Sequence, residues 1–420
     1  MKHIMYSSIF FYILINISCC KEPMIKPPPN KPDPVDSSQL WQDLSHQDSV
    51  SFWCNAIHLF DEKVFFATTD LDKLNVLKMY DKISGNLIWA KEISGYLNIS
   101  AYGFTKDYII ANERSYIHII NAQTGKTVHI VDWFNFRDDI CGLPRMNVIG
   151  DWIYHSASPC QRGNPDQTFM RYHIPDGRID TLIDIVGHIN GGYVGGLERP
   201  KLWMHPNGDS VLIFQNRTIN FGTSRNRVDL FAWSLKTRDT LWLIDSLTPS
   251  GFANVNSPQI YDDKIYMREF FNVFCINPMD GSIVWNSVAT DMGVSNLDIL
   301  FNEKRFYLHE GIREMYAYDI NTGDLIWMAD EKDGQDLGRG EFMTYHKGFI
   351  YSTYGDISAT DANNGKVKWT YRTPNYNKTL KLSTANLGMS DGLIIDPETD
   401  LMYVHDGFFA MCVKLPEKLK

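Results

Sequence analysis

The sequence lacks the signatures of several large classes of protein. It has no CxxC pair, and no cysteine–histidine cluster has the spacing of metal ligands. No GxSxG, HExxH or paired-carboxylate motif indicates a hydrolase, and no CxxCH motif would attach a haem. Positive charge is not in excess either. The 420 residues carry a formal net charge of −10, which argues against nucleic acid as a partner.

A long apolar run is also missing. The N-terminal run Ile9–Ile17 is too short to span a bilayer as a permanent helix. Lys2 precedes this run and small residues follow it, so residues 1–18 are typical of a secretory signal peptide.

The end of this segment resembles the lipobox of bacterial lipoproteins. Ser18 before Cys19 suits the signal peptidase, although Asn16 stands where an aliphatic residue is usual. We expect lipidation at Cys19, with Cys20 as the alternative residue. A plain signal peptide with an incidental cysteine pair is the other interpretation.

The next segment, residues 19–38, is predicted to be a lipidated, proline-rich tether. Six prolines fall within residues 21–38, a density that excludes helix and sheet interior. Such a tether would hold the remaining chain, residues 39–417, away from a membrane surface.

Five further cysteines are scattered along the chain. Cys141 and Cys160 flank one predicted hairpin and are the pair we expect to form a disulfide, because an exported chain meets an oxidising compartment. Cys275 and Cys412 lie inside apolar runs, which predicts buried structural thiols. Cys54 completes the set, so at least one thiol stays free.

The most informative feature is a repeat whose clearest copy is DINTGDLIW, residues 319–327. Seven copies end at positions 89, 129, 181, 242, 285, 327 and 369, so the gaps are 40, 52, 61, 43, 42 and 42 residues. A period near 42 with two insertions is typical of a β-propeller. The second and third copies end in His129 and Thr181 instead of Trp, and the fourth has Arg238 instead of Gly.

Each part of the repeat has a mechanical reason. Asp or Asn opens the turn because its side chain bonds nearby backbone amides, and Gly takes the left-handed conformation that the turn requires. The terminal Trp is predicted to dock one sheet on the next. The predicted blade-docking residues are Trp41, Trp89, Trp242, Trp285, Trp327 and Trp369, with Gly85, Gly125, Gly177, Gly281, Gly323 and Gly365.

A second hairpin precedes each copy, so each unit holds four antiparallel strands. The sequence predicts an all-β, eight-bladed propeller of four-stranded blades, with seven blades as the alternative. Residues 39–44, which include Trp41, would supply the outer strand of the last blade and close the ring. Residues 392–417 would supply its two middle strands, and residues 381–387 its inner strand.

The repeat resembles the tryptophan-docking repeat of the PQQ-like, or quinoprotein alcohol dehydrogenase-like, β-propellers. The resemblance covers nearly all of residues 39–417, and the copies that end in Trp89, Trp285, Trp327 and Trp369 match best. This family contains quinone-dependent enzymes and non-enzymatic members. A lipid-anchored propeller of this kind resembles the propeller lipoprotein of outer-membrane β-barrel assembly, which implies protein binding.

The enzyme interpretation lacks a legible site. The adjacent-cysteine disulfide of many quinoproteins has no counterpart, since Cys19 and Cys20 lie in the signal region. The polar residues expected near the inner strands suit a wet channel; they are Asn190, Asn256, Asn296, Glu341 and Asn386. Two insertions, residues 158–167 and 216–227, could form binding loops, although we expect ordinary solvated loops or a long hairpin tip there instead.

We therefore expect a non-enzymatic, lipid-anchored scaffold of the bacterial outer membrane that faces the periplasm or the cell surface. It would bind an envelope protein, use no cofactor or metal, and serve outer-membrane protein assembly. Carbohydrate or small-ligand binding is the second interpretation, and a PQQ- and Ca²⁺-dependent oxidoreductase is the third.

Overall fold

The structure is a computed structural model, and all of the residues it describes belong to the compact unit Asp36–Lys420. The described residues are 39–42, 51–70, 74–94, 97–113, 116–132, 140–142, 146–159, 167–185, 193–220, 225–248, 258–269, 272–288, 299–310, 314–330, 343–354, 356–372, 393–405 and 410–419.

These residues form eight antiparallel sheets, which are the blades of an eight-bladed β-propeller. The prediction of eight blades is confirmed. The first strand of each blade is called the inner strand, because the inner strands of neighbouring blades contact one another. The fourth is called the outer strand. Apart from the 3-10 helix Glu417–Leu419, the described secondary structure is entirely β.

The strands of the first four blades follow chain order. Strand β1 (Gln39–Gln42) precedes them and belongs to blade 8. Blade 1 contains β2 (Ser51–Phe60), β3 (Lys63–Asp70), β4 (Leu74–Asp81) and β5 (Leu87–Ser94); blade 2 contains β6 (Leu97–Phe104), β7 (Tyr108–Glu113), β8 (Tyr116–Asn121) and β9 (Thr127–Asp132); blade 3 contains β10 (Ile140–Gly142), β11 (Met146–Ile149), β12 (Trp152–Pro159), β13 (Gln167–His173) and β14 (Ile179–Ile185); blade 4 contains β15 (Tyr193–Met204), β16 (Ser210–Asn220), β17 (Arg225–Ser234) and β18 (Asp239–Thr248).

The last four blades repeat the same order until the ring closes. Blade 5 contains β19 (Gln259–Tyr261), β20 (Lys264–Glu269), β21 (Asn272–Ile276) and β22 (Ile283–Val288); blade 6 contains β23 (Leu300–Phe301), β24 (Arg305–Glu310), β25 (Glu314–Asp319) and β26 (Leu325–Asp330); blade 7 contains β27 (Met343–His346), β28 (Phe349–Tyr354), β29 (Asp356–Asp361) and β30 (Val367–Arg372); blade 8 contains β31 (Leu393–Asp396), β32 (Leu401–His405), β33 (Ala410–Lys414) and then β1.

The middle and outer strands have different burial, and this difference comes from their position in the ring. The third strand β25 is buried at its four central residues, since neighbouring blades cover both of its faces. The outer strand β22 instead alternates between half-buried and exposed residues from Trp285 onward. The repeated Trp occupies the half-buried side of this alternation.

The turn before each outer strand has the geometry that the repeat predicts. In blade 6, the Asp319 carboxylate accepts hydrogen bonds from the amides of Asn321 at 2.8 Å and Thr322 at 3.1 Å. The Gly323 amide donates to the Asp319 carbonyl at 2.9 Å, and a bulge lies between Ala317 and Tyr318. The bulge absorbs the extra residue, so that the returning strand keeps its register.

Ring closure follows the predicted principle, with one correction. Strand β1 pairs antiparallel with β33, and Gln39 lies opposite Val413. The inner strand of blade 8 is β31, Leu393–Asp396, so the prediction of residues 381–387 for this place is wrong. Residues 392–417 thus supply three strands of blade 8 and not two. These strands have four, five and five residues, so three short strands fit in a span for which the sequence predicted two.

Apolar residues fill the spaces between blades. Among the described residues there are eight buried clusters, and each joins two neighbouring blades. The cluster between blades 8 and 1 contains Trp41, Phe66 and Tyr403. Because every junction has its own cluster, the core is a ring of contacts and not a single centre. None of the described helical residues forms a segment long and apolar enough to cross a membrane.

Candidate functional site

The tryptophans of the outer strands contact the next blade in five junctions. Each indole Nε1 donates to a backbone carbonyl in the turn of that blade. The pairs are Trp41 to Lys82 at 3.0 Å, Trp89 to Ala122 at 3.0 Å, Trp242 to Pro278 at 2.8 Å, Trp285 to Ile320 at 3.3 Å and Trp327 to Ala362 at 3.1 Å. The same atom type is bound each time, so the contact depends on backbone position and not on the neighbour's side chain.

The glycine of each turn lies directly under the incoming indole. Gly323 has a φ of +75°, and a Cβ at this position would lie 2.6 Å from Cε3 of Trp285. The same arrangement places Gly85, Gly125, Gly281 and Gly365 under Trp41, Trp89, Trp242 and Trp327. Glycine is thus required twice, by the left-handed backbone and by the close approach of the ring. Gly177 differs, since a Cβ at this position would meet no indole and would lie 3.4 Å from the Tyr172 hydroxyl.

Junctions whose repeats lack Trp use other contacts. Between blades 2 and 3, the ring of His129 stacks on Tyr172 with centroids 6.2 Å apart. Between blades 3 and 4, Arg238 reaches back and its guanidinium contacts the carboxylate of Asp180 at 2.6 Å. Arg238 has a φ of +57°, so it occupies the left-handed position that glycine holds elsewhere. An ion pair therefore stands where an indole stands in the regular junctions.

Trp369 lies at the last junction, where the chain ends. It packs against the cluster of blades 7 and 8, which contains Leu415 and Leu419 beyond strand β33. Blade 8 has no turn between its third and fourth strands, because β1 comes from the other end of the chain. The C-terminal residues fill the position of that turn.

The surface of blade 3 carries a cluster of arginine and aromatic side chains. The Arg171 guanidinium lies 4.0 Å from the centroid of the Trp152 ring, and Arg178 lies 5.1 Å from it. Arg171 also pairs with Asp180 at 2.8 Å. Burial alone would raise the pKa of Asp180, but its bonds to Arg238 and Arg171 outweigh burial and lower the pKa below its usual range. This cluster rigidifies the irregular junction.

A buried ion pair lies beside the ring closure. The Lys82 ammonium lies 3.1 Å from the carboxylate of Asp396, and both side chains are almost fully buried. Burial alone would raise the pKa of Asp396. The hydrogen bonds from the Glu398 amide, the Thr399 hydroxyl and Lys82 outweigh burial and lower it. The pair therefore joins blade 8 to blade 1 through a charged carboxylate.

Several predicted residues lie outside the described part of the chain. Cys19 and Cys160 are among them, and of Cys141 the structure describes the backbone alone, so the disulfide prediction is not tested. The same holds for the five polar residues predicted near the inner strands, Asn190, Asn256, Asn296, Glu341 and Asn386. The insertion at 216–227 extends a hairpin, since Arg217 lies opposite Val228 in paired strands.

The described residues offer no assembled metal site. Among them, no three His, Cys, Asp or Glu side chains are grouped closely enough to hold a metal ion. The thiols of Cys275 and Cys412 are free and buried. Burial raises the pKa of Cys412 to about 12, which leaves little reactive thiolate.

The outer strands expose apolar side chains that no blade covers. In blade 6, Leu325, Ile326 and Met328 are 47%, 41% and 51% exposed. In blade 5, Ile283 and Val284 are 48% and 50% exposed. The repeat alone did not single these residues out. The signal that could have found them is the pair of positions on either side of each Trp, compared from blade to blade.

Comparison with known proteins supports the repeat. Residues 214–391 match the family model PQQ_2, described as "Outer membrane protein assembly factor BamB". The chain resembles a PQQ-like propeller. The resemblance inferred from the repeats is confirmed, and the matched residues begin within blade 4 and end before the first strand of blade 8.

Solved structures extend the similarity to nearly the whole chain. BamB from Moraxella catarrhalis is 12% identical with a TM-score of 0.56, covering 87% of this chain and 98% of that one. A europium-containing methanol dehydrogenase is 12% identical with a TM-score of 0.59, covering 89% and 85%. Saccharomyces cerevisiae Sqt1 is 12% identical with a TM-score of 0.59, covering 90% and 99%.

These similarities establish the fold. An assembly factor and a dehydrogenase share it at the same identity, so the fold by itself does not decide between binding and catalysis. No curated protein matches this chain significantly.

Proposed function

We propose that this chain is a non-enzymatic, lipid-anchored scaffold of the bacterial outer membrane that binds other envelope proteins and serves outer-membrane protein assembly. The observation that carries the proposal is the match of residues 214–391 to the BamB model. The similar span of M. catarrhalis BamB, which the propeller covers at 98%, supports it. The lipobox-like sequence before Cys19 and the proline-rich residues 19–38 supply the proposed anchor and tether.

The geometry suits binding better than chemistry. Indole contacts, an ion pair and eight apolar clusters fix each blade against its neighbours, which gives a rigid frame with exposed outer strands. Rigid surfaces bind with a small loss of conformational entropy. Among the described residues, no three His, Cys, Asp or Glu side chains are grouped to hold a metal ion.

A crosslinked pull-down of the tagged, full-length protein from its native envelope tests the proposal. We expect recovery of β-barrel assembly components or of one defined envelope complex. Recovery of no specific protein would contradict the scaffold function and favour a small ligand in the channel.

The anchor is tested separately by metabolic labelling with a fatty acid. We expect Cys19→Ala to abolish incorporation and Cys20→Ala to leave it, with both variants produced at equal levels. Unchanged labelling of Cys19→Ala and loss in Cys20→Ala would move the lipid to Cys20. Absence of label from the unmodified chain would remove the anchor from the proposal.

A dye-reduction assay with added PQQ and Ca²⁺ tests the oxidoreductase alternative, which the dehydrogenase fold similarity raises. We expect no turnover with primary alcohols or sugars. Turnover that depends on PQQ would overturn the non-enzymatic assignment.

A further inference from the structure

The exposed apolar residues of blades 5 and 6 lie at fixed positions beside the docking tryptophans. Met328 lies opposite Tyr316, whose side chain belongs to the cluster between blades 5 and 6, so Met328 lies on the face of blade 6 opposite to Trp327. Ile326 is the extra residue of the bulge beside Trp327, and it is exposed as well. Trp327 docks on blade 7, and the opposite face therefore looks toward blade 5. The bulge of β22 sets Ile283 opposite Ile276, which belongs to the cluster between blades 4 and 5, so Ile283 faces away from blade 6. The exposed surface beside β26 that carries Ile326 and Met328 is called here the blade 5–6 groove.

Blade 7 shows that the architecture does not require apolar residues here. Its outer strand β30 has the same docking tryptophan, Trp369, yet Lys368 and Thr370 occupy the positions of Ile326 and Met328. Both residues of blade 7 are exposed, like their counterparts in blade 6. A blade thus forms with either pair, and the apolar pair in blade 6 needs another explanation.

The charges around the groove have one sign. The turns and outer strands of blades 5 and 6, residues 277–288 and 319–330, contain Asp280, Asp319, Asp324 and Asp330 and no Lys, Arg or His. Asp280, Asp319 and Asp324 lie at the turns that precede the two outer strands, so they form an acidic rim at that end of the groove. A basic segment would be attracted there, and a second acidic copy of this chain would be repelled.

The backbone of β26 offers an unpaired edge. Strand β26 ends the sheet order of blade 6, and it pairs with β25 on one side alone among the described strands. Its free amide and carbonyl groups can bind an extended chain, as in strand addition at a sheet edge. Exposed edges with apolar side chains are avoided in proteins unless something covers them.

A second pair of blades has apolar walls but a different charge. Leu87 of blade 1 and Val128 and Ile130 of blade 2 are about half exposed. Lys91 and Lys126 stand among the acids of those outer strands and turns. Blades 5 and 6 are therefore set apart by charge as well as by apolar surface.

We propose that the outer edge of blade 6 binds an extended segment of a partner protein as a fifth strand, one in which apolar residues alternate with polar ones and Lys or Arg residues flank them. The apolar side chains of this segment fill the blade 5–6 groove against Ile326 and Met328, and its basic ends meet the acidic rim. The inference rests on the proposed scaffold function and names the binding surface and the chemistry of the partner.

Synthetic peptides test the chemistry directly on the full chain. The probe is fluorescein-labelled KKTVTITVTLKK, measured by anisotropy. We expect saturable binding that weakens with salt. Three control peptides separate the contributions: EETVTITVTLEE reverses the charge, KKTTTTVIVLKK removes the alternation, and KKTVTPTVTLKK removes a backbone donor. All three are expected to bind about tenfold or more weakly. Equal binding of the non-alternating or proline peptide would overturn strand addition.

A blade-7-like variant tests the location. Ile326→Lys combined with Met328→Thr copies residues that blade 7 already tolerates, so the fold is expected to persist at an unchanged melting temperature. Binding of KKTVTITVTLKK should weaken about tenfold or more. The matched control is Ile88→Lys with Ala90→Thr, which makes the same change in blade 1 and should leave binding unchanged. Equal loss in both variants, or loss in neither, would overturn the assignment to blade 6.

Two outcomes separate this inference from the scaffold function. If the unmodified chain and the blade 6 variant recover the same envelope partner equally, the scaffold function stands and this site is wrong. If the peptide binds at blade 6 and no envelope partner is recovered, the edge site stands and the scaffold function fails. Sedimentation of the free chain tests the remaining occupant. A dimer that the blade 6 variant abolishes would assign the edge to a second copy and overturn the proposal.

Discussion

Two of the docking carbonyls each receive two donors from the neighbouring blade. The Ile320 carbonyl accepts from the Trp285 indole at 3.3 Å and from the Tyr266 hydroxyl at 3.5 Å. The Lys82 carbonyl likewise accepts from Trp41 and, at 3.1 Å, from Tyr403. A carbonyl oxygen has two lone pairs, so one backbone atom can hold both side chains. The repeat therefore preserves the position of this backbone carbonyl more strictly than any single side-chain contact to it.

Glycine beneath an indole should be the least replaceable residue of a blade. Gly323→Ala combines left-handed strain of about 1–2 kcal/mol with a clash against Trp285, for a total loss of about 3 kcal/mol in unfolding free energy. Gly150 is the control, since it has a φ of +57° and no atom lies within 4 Å of the place that a Cβ would take. Gly150→Ala should cost about 1 kcal/mol, from strain alone. Urea unfolding measures the unfolding free energy of both variants. Equal losses would show that the Trp285 indole moves aside at no cost and that the clash contributes nothing.

The buried pair Lys82–Asp396 should make ring closure sensitive to acid. The pKa of Asp396 is lowered in the folded chain. Its stabilising contribution is therefore fully present above the unfolded pKa of about 3.9, and it is lost as the pH falls through the folded pKa. Asp396→Asn should cost about 2 kcal/mol or more at neutral pH, because it leaves the exposed carboxylate of Glu62, 3.8 Å away, as the counter-charge of the buried Lys82.

Denaturant unfolding from pH 7 to pH 3 checks this expectation. The unmodified chain should lose stability more steeply at the acid end than Asp396→Asn does. Asp107→Asn, which changes an exposed carboxylate, serves as the control and should follow the unmodified chain. Parallel curves for all three proteins would contradict a role of this pair.

At the scale of the element, outer strands share a backbone role and differ in their surfaces. Strands β22, β26 and β30 each carry a tryptophan at the same position. Their flanking residues range from apolar to basic, because the next blade covers the indole side and leaves the other side open. Packing on the next blade restricts the residue types on the indole face of each outer strand. The residues on the other face can vary, so they can serve binding.

Strand β1 should matter to the whole ring although it has four residues. Deleting residues 36–44 removes Trp41 from the cluster between blades 8 and 1 and exposes the edge of β33. Loss of one buried Trp alone costs about 3–5 kcal/mol, so the melting temperature should fall by several degrees or more. Deleting residues 21–35 instead should leave it unchanged. A truncated chain that melts like the full one would mean that β1 is not needed for closure.

The repeated elements could be predicted from sequence because their physical requirements are local. A turn acid, a left-handed glycine and an indole recur at one spacing. Counting the copies at this spacing, together with the strands at the two chain ends, predicted the number of blades. Irregular parts could not be predicted. The inner edge of blade 3 is split between β10 and β11, which both pair with β12. The ion pair of Arg238 with Asp180 joins residues far apart in sequence, and no local pattern records it.

The candidate binding surface was even less legible in the sequence. Ile326 and Lys368 stand at the same place in two copies, but an apolar residue in a strand is ordinarily interpreted as core. Its exposure becomes visible once the outer strand and its covered face are known. The partner's identity is not encoded in this chain, which carries half of the interface.

For the whole molecule, the closing blade predicts tolerance to a rearranged chain order. Gln39 and Gln42 lie opposite Val413 and Met411, so β1 continues β33 as the second arm of a hairpin would. Moving residues 36–45 behind Lys420 through a short Gly-Ser linker should turn blade 8 into an ordinary blade. We expect the same circular dichroism spectrum and a melting temperature within a few degrees of the original. An unfolded permutant would show that the native order of the chain is needed.

The pairing of β1 with β33 also determines when blade 8 can form during biosynthesis. The first described strand to leave the ribosome finds its partner in the last described strand, so no nascent chain can complete blade 8. Blades 1 to 7 each come from contiguous sequence, whereas blade 8 cannot be completed before β33 is present. Ring closure therefore requires a chain that extends through β33. A product that stops before β33 keeps an unpaired first strand, which quality-control proteases can recognise.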